Sequence, residues 1–259
     1  MVKPRQVVSL STSATDWGAL LQPRLRGAAR IERTDVGVRL LRLPSTEVTY
    51  SDSELVGCEP NRWYPPLTLS IRARFSHPTE RLRGTAGFGF WNEGIGPGVR
   101  WPRPPRALWY FFGAPPYDVP LAMGVSGHGF KAAVLDAQRP AFFGLLPLAP
   151  IGFGLMRIPL LYRHLWPIAQ RAIGARERDL SQLDLTTYHD FVVDWRDGAA
   201  TFLIDGQPVL TAPAPPGPLQ LVIWIDNCYA IATPQGRFGF GLVNEPEPQW
   251  LEVERASVV

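Results

Sequence analysis

The sequence has few of the residues on which metal sites, disulfide frameworks and familiar catalytic motifs depend. Its 259 residues include two cysteines, Cys58 and Cys228, and four histidines. No C-x-x-C or H-E-x-x-H spacing indicates zinc, and no G-x-S-x-G or phosphate-loop motif is present. A single disulfide is one alternative, but Cys228 lies in an apolar strand-like segment and we expect a buried thiol. We therefore expect no metal centre and no cofactor.

Charge is also sparse. Charged residues make up 19% of the chain, the net charge is +3, and the arginines form no block. A scattered, mildly basic surface is typical of a solvated protein, so we expect no nucleic-acid partner. The N-terminus has neither an apolar h-region nor a small-residue cleavage site. From this we predict a cytoplasmic protein, with a removed leader as the alternative.

Glycine and proline are abundant, at 24 and 27 residues, which favours many short strands and turns over long helices. Strand-like alternation recurs along the chain. In Leu67–Phe75, for example, every second residue is apolar and the residues between are Thr, Ser or Arg. Because all-β sandwiches of this size commonly form one domain, we predict a single domain over residues 1–259.

The segment from Tyr188 to Val209 has the pattern of two strands joined by a tight turn. Its first strand alternates up to Trp195, and Arg196-Asp197-Gly198 supplies the turn. Residues 201–204 form the return strand, and Asp205-Gly206 makes a second turn. This pattern resembles family 16 glycoside hydrolases and their concanavalin A-like relatives.

Three further segments carry the resemblance, in the order found in that family: Arg72-Ala-Arg-Phe75, Gly89-Phe-Trp91 and Leu251-Glu-Val-Glu-Arg255. The resemblance covers most of the chain. It implies an all-β, concanavalin A-like jelly roll made of two antiparallel sheets. It also implies a structural calcium near the chain ends, although no residues here mark its oxygen ligands.

The catalytic motif of those hydrolases is missing. They carry E-x-D-x-x-E on one strand, where alternate spacing places the carboxylates on one sheet face for acid–base chemistry. The corresponding residues 106–115 read Arg-Ala-Leu-Trp-Tyr-Phe-Phe-Gly-Ala-Pro and contain no acid. The hydrolase roles are therefore not carried over to any residue.

An apolar insertion at residues 140–182 precedes the hairpin. Its run from Ala141 to Leu161 is long enough to span a membrane, but Pro147, Pro150 and Pro159 would break a spanning helix. Three interpretations stay open. The insertion is a partly helical cover over one sheet, a lid that lines a pocket for an apolar or amphipathic ligand, or a peripheral membrane contact through residues 141–173.

Three residues are candidate acids, bases or proton shuttles. Asp226 shares a strand face with Trp224, opposite two isoleucines, and an apolar cleft would raise its pKa. The alternative is a strand-end Asp that binds turn amides. Glu93 ends another strand near the same cleft, or simply begins a loop. His128 lies in a glycine-rich loop and is a candidate proton shuttle. The alternative is an ordinary loop residue.

The predicted ligand-binding residues are mainly aromatic: Trp91, Trp109, Phe111, Trp224, Asn227 and Tyr229. The sequence does not decide which sheet face Trp109 and Phe111 take. We predict a non-hydrolytic protein that binds a hydrophobic or amphipathic small molecule, including a glycosylated one. The alternative is a cofactor-independent enzyme that performs acid–base cyclisation, isomerisation or hydrolysis on an apolar substrate. A third alternative is a glycoside hydrolase with relocated acids.

Overall fold

The computed structural model describes residues 8–10, 21–58, 62–94, 101 and 103–259. Two antiparallel sheets pack face to face, and a helical insertion and a short hairpin lie on one of them. The predicted all-β sandwich with an apolar, partly helical insertion is confirmed.

The sheet away from the insertion, called the back sheet, has the order β13-β12-β11-β6-β17-β4-β3, with β1 pairing β17. Its strands are β1 (Val8–Leu10), β3 (Ala29–Arg33), β4 (Val38–Arg42), β6 (Leu67–Phe75), β11 (His189–Arg196), β12 (Ala199–Ile204), β13 (Gln207–Pro213) and β17 (Gln249–Val258).

The second sheet, called the site sheet, has the order β10-β9-β8-β7-β14-β5-β2. Its strands are β2 (Leu21–Arg26), β5 (Asp52–Gly57), β7 (Thr85–Trp91), β8 (Arg106–Gly113), β9 (Gly129–Asp136), β10 (Arg176–Asp179) and β14 (Gln220–Asp226). A separate hairpin follows it, made of β15 (Cys228–Ala232) and β16 (Phe238–Leu242).

The core lies between the two sheets and follows the alternation of the sequence. On β6, every second side chain from Leu67 to Phe75 is buried, as predicted. The hairpin turns are also as predicted, since Asp205 and Gly206 adopt φ values of 50° and 77° and Gly198 adopts 78°. Trp195 is fully buried in this core, and its Nε1 donates to Pro215 O at 3.0 Å.

The insertion forms three helices, α1 (Pro140–Leu145), α2 (Ala149–Leu155) and α3 (Pro159–Ala172), with a 3-10 turn at Leu146–Leu148. Its prolines favour this arrangement, because a proline at the first position of a helix lacks only an N–H that would have no helical partner. The end of the predicted insertion differs from expectation: residues 176–179 form β10, the edge strand of the site sheet.

Candidate functional site

The helices cover one face of the site sheet and enclose a cavity of about 1580 Å³. Ligand pockets in proteins usually measure about 300–1,000 Å³, so this volume suits a large ligand. The roof consists mainly of leucine, isoleucine, alanine and aromatic side chains from α1–α3 and from β15–β16. The floor is the outward face of the site sheet. Polar groups lie mainly at its two edges.

An aromatic floor occupies the middle of the sheet and is defined by Trp91, Trp109, Phe111 and Trp224. Trp109 is central: its ring centroid lies 5.4 Å from those of Phe111 and Trp224 and 6.0 Å from that of Trp91. The structure thereby decides the orientation that the sequence left open. Trp109 and Phe111 face the cavity, whereas Leu108, Tyr110 and Phe112 are buried in the core.

Two glycines of β7 make room for these rings. Gly87 pairs with Trp224 on β14 and with Phe111 on β8, and Gly89 pairs with Trp109. A Cβ at Gly87 would lie 2.9 Å from Trp224 Cη2, closer than side-chain atoms normally approach, and the φ of 157° is unfavourable for other residues. The absent side chains therefore leave room for the aromatic rings of the neighbouring strands.

An acid cluster, defined as Asp52, Glu54, Glu93 and Asp226, lies at the β2–β5–β14 edge of the cavity. Asp52 is the direct cross-strand partner of Asp226, and Glu54 is the partner of Trp224. Directly opposed residues in antiparallel strands place their Cβ atoms about 4.5–5.5 Å apart. The fold thus brings two carboxyl groups from distant parts of the chain side by side under an apolar roof.

Hydrogen bonds fix one oxygen of Asp226. Its Oδ1 accepts from Thr85 Oγ1 at 2.8 Å, from Cys228 N at 2.9 Å and from Thr85 N at 3.3 Å. Thr85 Oγ1 in turn accepts from Trp224 Nε1 at 3.0 Å. This relay holds Trp224 and Asp226 in a fixed relative orientation. In the described part of the chain, Oδ2 receives no such bond, so it is the oxygen available to a ligand.

Burial changes the acidity of this cluster. It raises the pKa of Asp52 to about 8, with the neighbouring Glu54 and Asp226 charges adding to the effect and Arg26 opposing it. Burial likewise raises the pKa of Glu54 to about 7. The pKa of Asp226 is also raised by burial, against the hydrogen bonds from Cys228 and Thr85. Asp52 therefore retains its proton at neutral pH.

Two arginines of β2 partly neutralise the cluster. Arg24 Nη1 lies 3.1 Å from Glu54 Oε2 and 2.8 Å from Glu93 Oε1, and Arg26 Nη1 lies 3.7 Å from Asp52 Oδ2. Glu93 adopts a φ of 48°, a left-handed conformation that is uncommon outside glycine and that Arg24 helps to hold. Three of the four carboxyl groups thus share two guanidinium groups.

A second polar pair lies towards the opposite edge of the site sheet. Lys131 Nζ is 3.1 Å from Glu177 Oε2, and both side chains are buried. Glu177 Oε1 accepts from the backbone N–H groups of Leu121 and Ala122 at 2.9 and 2.8 Å, and Lys131 also donates to Ser126 O. These groups satisfy one another, in contrast to the acid cluster.

Most of the predicted site residues line this cavity, namely Asp226, Glu93, Trp91, Trp109, Phe111, Trp224 and Tyr229. Two do not. His128 is exposed on its loop, away from the lining. Asn227 is fully buried and bonds to the loop before β5: its Oδ1 accepts from Ser51 N at 2.9 Å, and its Nδ2 donates to Thr49 O at 2.9 Å. The Asn227 side chain therefore holds the loop before β5 in place and does not contact the cavity.

Asp52, Glu54 and the two arginines were missed at the sequence level. A signal was present, because Asp52-Ser-Glu54 has the alternate spacing that puts two acids on one strand face. The six residues of β5, Asp-Ser-Glu-Leu-Val-Gly, nevertheless show no apolar alternation, although all six are buried. Its pairing with β14 depends on long-range contacts.

Other chemistry has little support among the described residues. Cys58 and Cys228 are both free thiols, so they form no disulfide. Within residues 21–58, 62–94 and 103–259, no three His, Cys, Asp or Glu side chains are grouped to hold a metal ion. The calcium implied by the family resemblance thus finds no set of metal ligands in these ranges.

Comparison with solved structures identifies the fold. An endo-acting O-glycanase, of the kind that human gut microbiota express to initiate mucin breakdown, aligns over 97% of both chains with a TM-score of 0.54 and 12% identity. The β-glucanase of Bacillus licheniformis aligns over 100% of this chain and 99% of its own, with a TM-score of 0.51 and 13% identity. The carbohydrate recognition domain of Emp47p aligns over 97% and 94%, with a TM-score of 0.51 and 11% identity.

At these identities the likeness shows the fold alone, which is the concanavalin A-like sandwich of glucanases and lectins. No protein-family model matches the sequence, and no curated protein matches it.

Proposed function

We propose that this protein binds a hydrophobic or amphipathic small molecule in the covered cavity. The observation that carries the proposal is the cavity itself: about 1580 Å³ beneath three helices, with largely apolar walls and buried acids at one edge. An apolar ligand body fits between the aromatic floor and the roof. A polar ligand group fits against the acid cluster.

The acid cluster indicates which kind of polar group the ligand carries. A carboxylate or phosphate would be repelled by any ionised member of the cluster. A carbonyl or hydroxyl oxygen can instead accept a hydrogen bond from a protonated Asp52, whose pKa of about 8 keeps the proton at neutral pH. We therefore propose a neutral, oxygen-bearing polar end.

Gly152 and Gly154 on α2 allow a matched test of binding. A Cβ added at either position meets no atom within 4 Å, but only Gly152 lines the cavity. We expect Gly152→Phe to place its ring in the cavity and to weaken binding of the neutral apolar fluorophore N-phenylnaphthylamine at least tenfold. Gly154→Phe, the control, should bind as the unmodified protein does. Equal binding by both variants would place the fluorophore outside the cavity and contradict the proposal.

A second candidate function is acid–base catalysis on an apolar substrate, and the Asp52–Asp226 pair favours it. Two buried carboxyl groups side by side titrate as a coupled pair, so that one can donate a proton while the other accepts one. Cyclisation, isomerisation or hydrolysis would each use such a pair. In this mechanism Asp226 Oδ2 faces the substrate, and Thr85 holds the other oxygen.

The two candidates are separated by the fate of the bound molecule. Molecules extracted from the purified protein are returned to it and followed by mass spectrometry. Catalysis would be established if the unmodified protein converts the molecule and Asp226→Asn retains the molecule without converting it. Retention without conversion by the unmodified protein would leave binding as the function.

Carbohydrate hydrolysis is less favoured. The O-glycanase and the β-glucanase share the fold, and the aromatic floor suits sugar stacking, but the acids here lie on β5 and β14 under an apolar roof. A polar oligosaccharide would lose its hydration there with few polar groups to replace it. Cleavage of β-glucan by the pure protein would reverse this preference.

A further inference from the structure

The helical insertion is apolar on its outer surface as well as towards the cavity. Phe143, Ile158 and Leu160 do not line the cavity, and 50%, 52% and 66% of their surfaces are exposed. A helix that only covers a cavity normally presents polar residues to water. These three side chains, called the outer patch, thus leave apolar surface without a partner in the described part of the chain.

The β15–β16 hairpin extends this surface. The Phe153 ring of α2 lies 5.3 Å from the Phe238 ring, and Arg157 Nε donates to Gln235 O at 3.3 Å, so the insertion and the hairpin form one continuous face. Seven exposed side chains on this face also line the cavity, and we call them the apolar rim: Leu146, Leu148, Ile151, Leu155, Ile168, Phe238 and Phe240. Because these residues are both exposed and lining, the mouth of the cavity opens on this face.

Charge on the insertion has one sign. From Ala137 to Ala175 the sequence has no Asp or Glu, but it has four arginines. Arg157, Arg163 and Arg171 are exposed, and among the described residues none of the three forms an ion pair with an acid. Exposed apolar groups bordered by unpaired arginines match the interface of a bilayer that contains anionic lipids.

A second copy of the chain fits this face less well. Pairing two copies would bring two sets of arginines together, and like charges across an interface are unfavourable. None of the described helices is long and apolar enough to cross a bilayer, so the face is not explained by a membrane-spanning helix among them. Peripheral docking satisfies both the apolar groups and the arginines.

We propose that the outer patch and the apolar rim dock on an anionic membrane surface, so that the mouth of the cavity faces the lipid. Its ligand then passes between the bilayer and the cavity without crossing water. The docking itself does not depend on the identity of the ligand. It also stands apart from the proposed function, because the outer patch lies outside the cavity.

Co-sedimentation with vesicles tests the docking. The probes are vesicles of phosphatidylcholine alone and of equal parts phosphatidylcholine and phosphatidylglycerol. We expect binding to the mixed vesicles, and we expect Ile158→Ser and Leu160→Ser each to weaken it by about tenfold, since each removes a large apolar side chain from the lipid. Val36→Ser is the control, because Val36 is 43% exposed and lies between β3 and β4 of the back sheet, outside this face.

The arginines give a second, independent readout. Arg163→Gln and Arg171→Gln should each weaken binding to the mixed vesicles by about fivefold, and added salt should weaken binding of the unmodified protein. Binding of N-phenylnaphthylamine should stay unchanged in all these variants, which separates loss of docking from loss of the cavity.

Three results would overturn the proposal. The first is no binding of the unmodified protein to the mixed vesicles. The second is equal binding to both vesicle types with no effect of the arginine substitutions. The third is a concentration-dependent dimer that Leu160→Ser dissociates, which would assign the face to a second copy of the chain.

Discussion

Replacing Asp52 with Asn tests whether the acid cluster holds a proton inside the cavity. Asp52 is 3% exposed, lies opposite Asp226 and has a pKa raised to about 8. Asn has nearly the same shape but does not titrate. The substitution therefore removes the proton-binding group and leaves the volume of the site almost unchanged.

The expected effect follows from proton binding in the two states. An unfolded aspartate titrates near pH 3.9, so between about pH 4 and pH 8 the folded protein binds more protons at Asp52 than the unfolded chain does. The contribution of protonated Asp52 to the stability of the folded protein is fully present below the pKa of the unfolded chain. It is lost as the pH rises from there through the folded pKa of about 8. At about 1.4 kcal/mol per pH unit, the loss from pH 5 to pH 8 approaches 4 kcal/mol.

Urea unfolding followed by tryptophan fluorescence at pH 5, 6, 7 and 8 measures this difference. We expect the free energy of unfolding of Asp52→Asn to rise relative to that of the unmodified protein by up to about 4 kcal/mol between pH 5 and pH 8. At pH 8 the variant should be the more stable of the two. Asp197→Asn, in the exposed hairpin turn, is the control and should leave the pH dependence unchanged. Parallel pH curves for Asp52→Asn and the unmodified protein would show that Asp52 is ionised at neutral pH, and the proposed proton donor would be refuted.

Two further substitutions test the parts that hold the site together. Thr85→Val removes the hydroxyl that donates to Asp226 and accepts from Trp224, so the free energy of unfolding at neutral pH should fall by about 1–3 kcal/mol, and urea unfolding measures it. An unchanged value would mean that the relay contributes nothing to stability. Gly87→Ala would place a Cβ 2.2 Å from Tyr110 O and 2.9 Å from the Trp224 ring, so we expect a loss of more than about 1 kcal/mol and weaker N-phenylnaphthylamine binding. Retention of both stability and binding would contradict the packing described for the aromatic floor.

The sequence predicted what depends on local periodicity. The hairpin around Trp195 follows from alternation and from the Asp-Gly turns, and the cavity-facing position of Trp224 and Asp226 follows from the two isoleucines between and beside them. Both are properties of single strands. The pattern of a strand fixes which side chains share a face, whatever the neighbouring strands are.

The pattern of a single strand does not determine which strands pair or in which register. Asp52 meets Asp226 only because β5 pairs β14 in one register, and a shift of one residue would turn Asp52 away from the cavity. Asn227 and His128 illustrate the same limit. Their side chains suit a ligand site chemically, but Asn227 is used by the loop at residues 45–51, and His128 remains on the surface.

The insertion was predicted only in outline. Its apolar composition indicated a cover, a lid or a membrane contact, because all three need similar residues. The structure adds that the two surfaces of the insertion differ in role. Leu165 and Met156 line the cavity, whereas Leu160 is exposed beside arginines without acidic partners.

Mass spectrometry of the molecules that co-purify with the protein tests the central claim most directly. The protein and its two α2 variants are purified under mild conditions, and their bound molecules are extracted and compared. We predict that the unmodified protein and Gly154→Phe retain the same amphipathic molecule, in a ratio near one per chain, and that Gly152→Phe does not. Retention of that molecule by Gly152→Phe at the same ratio, or its absence from all three proteins, would contradict the assignment of the cavity as the binding site.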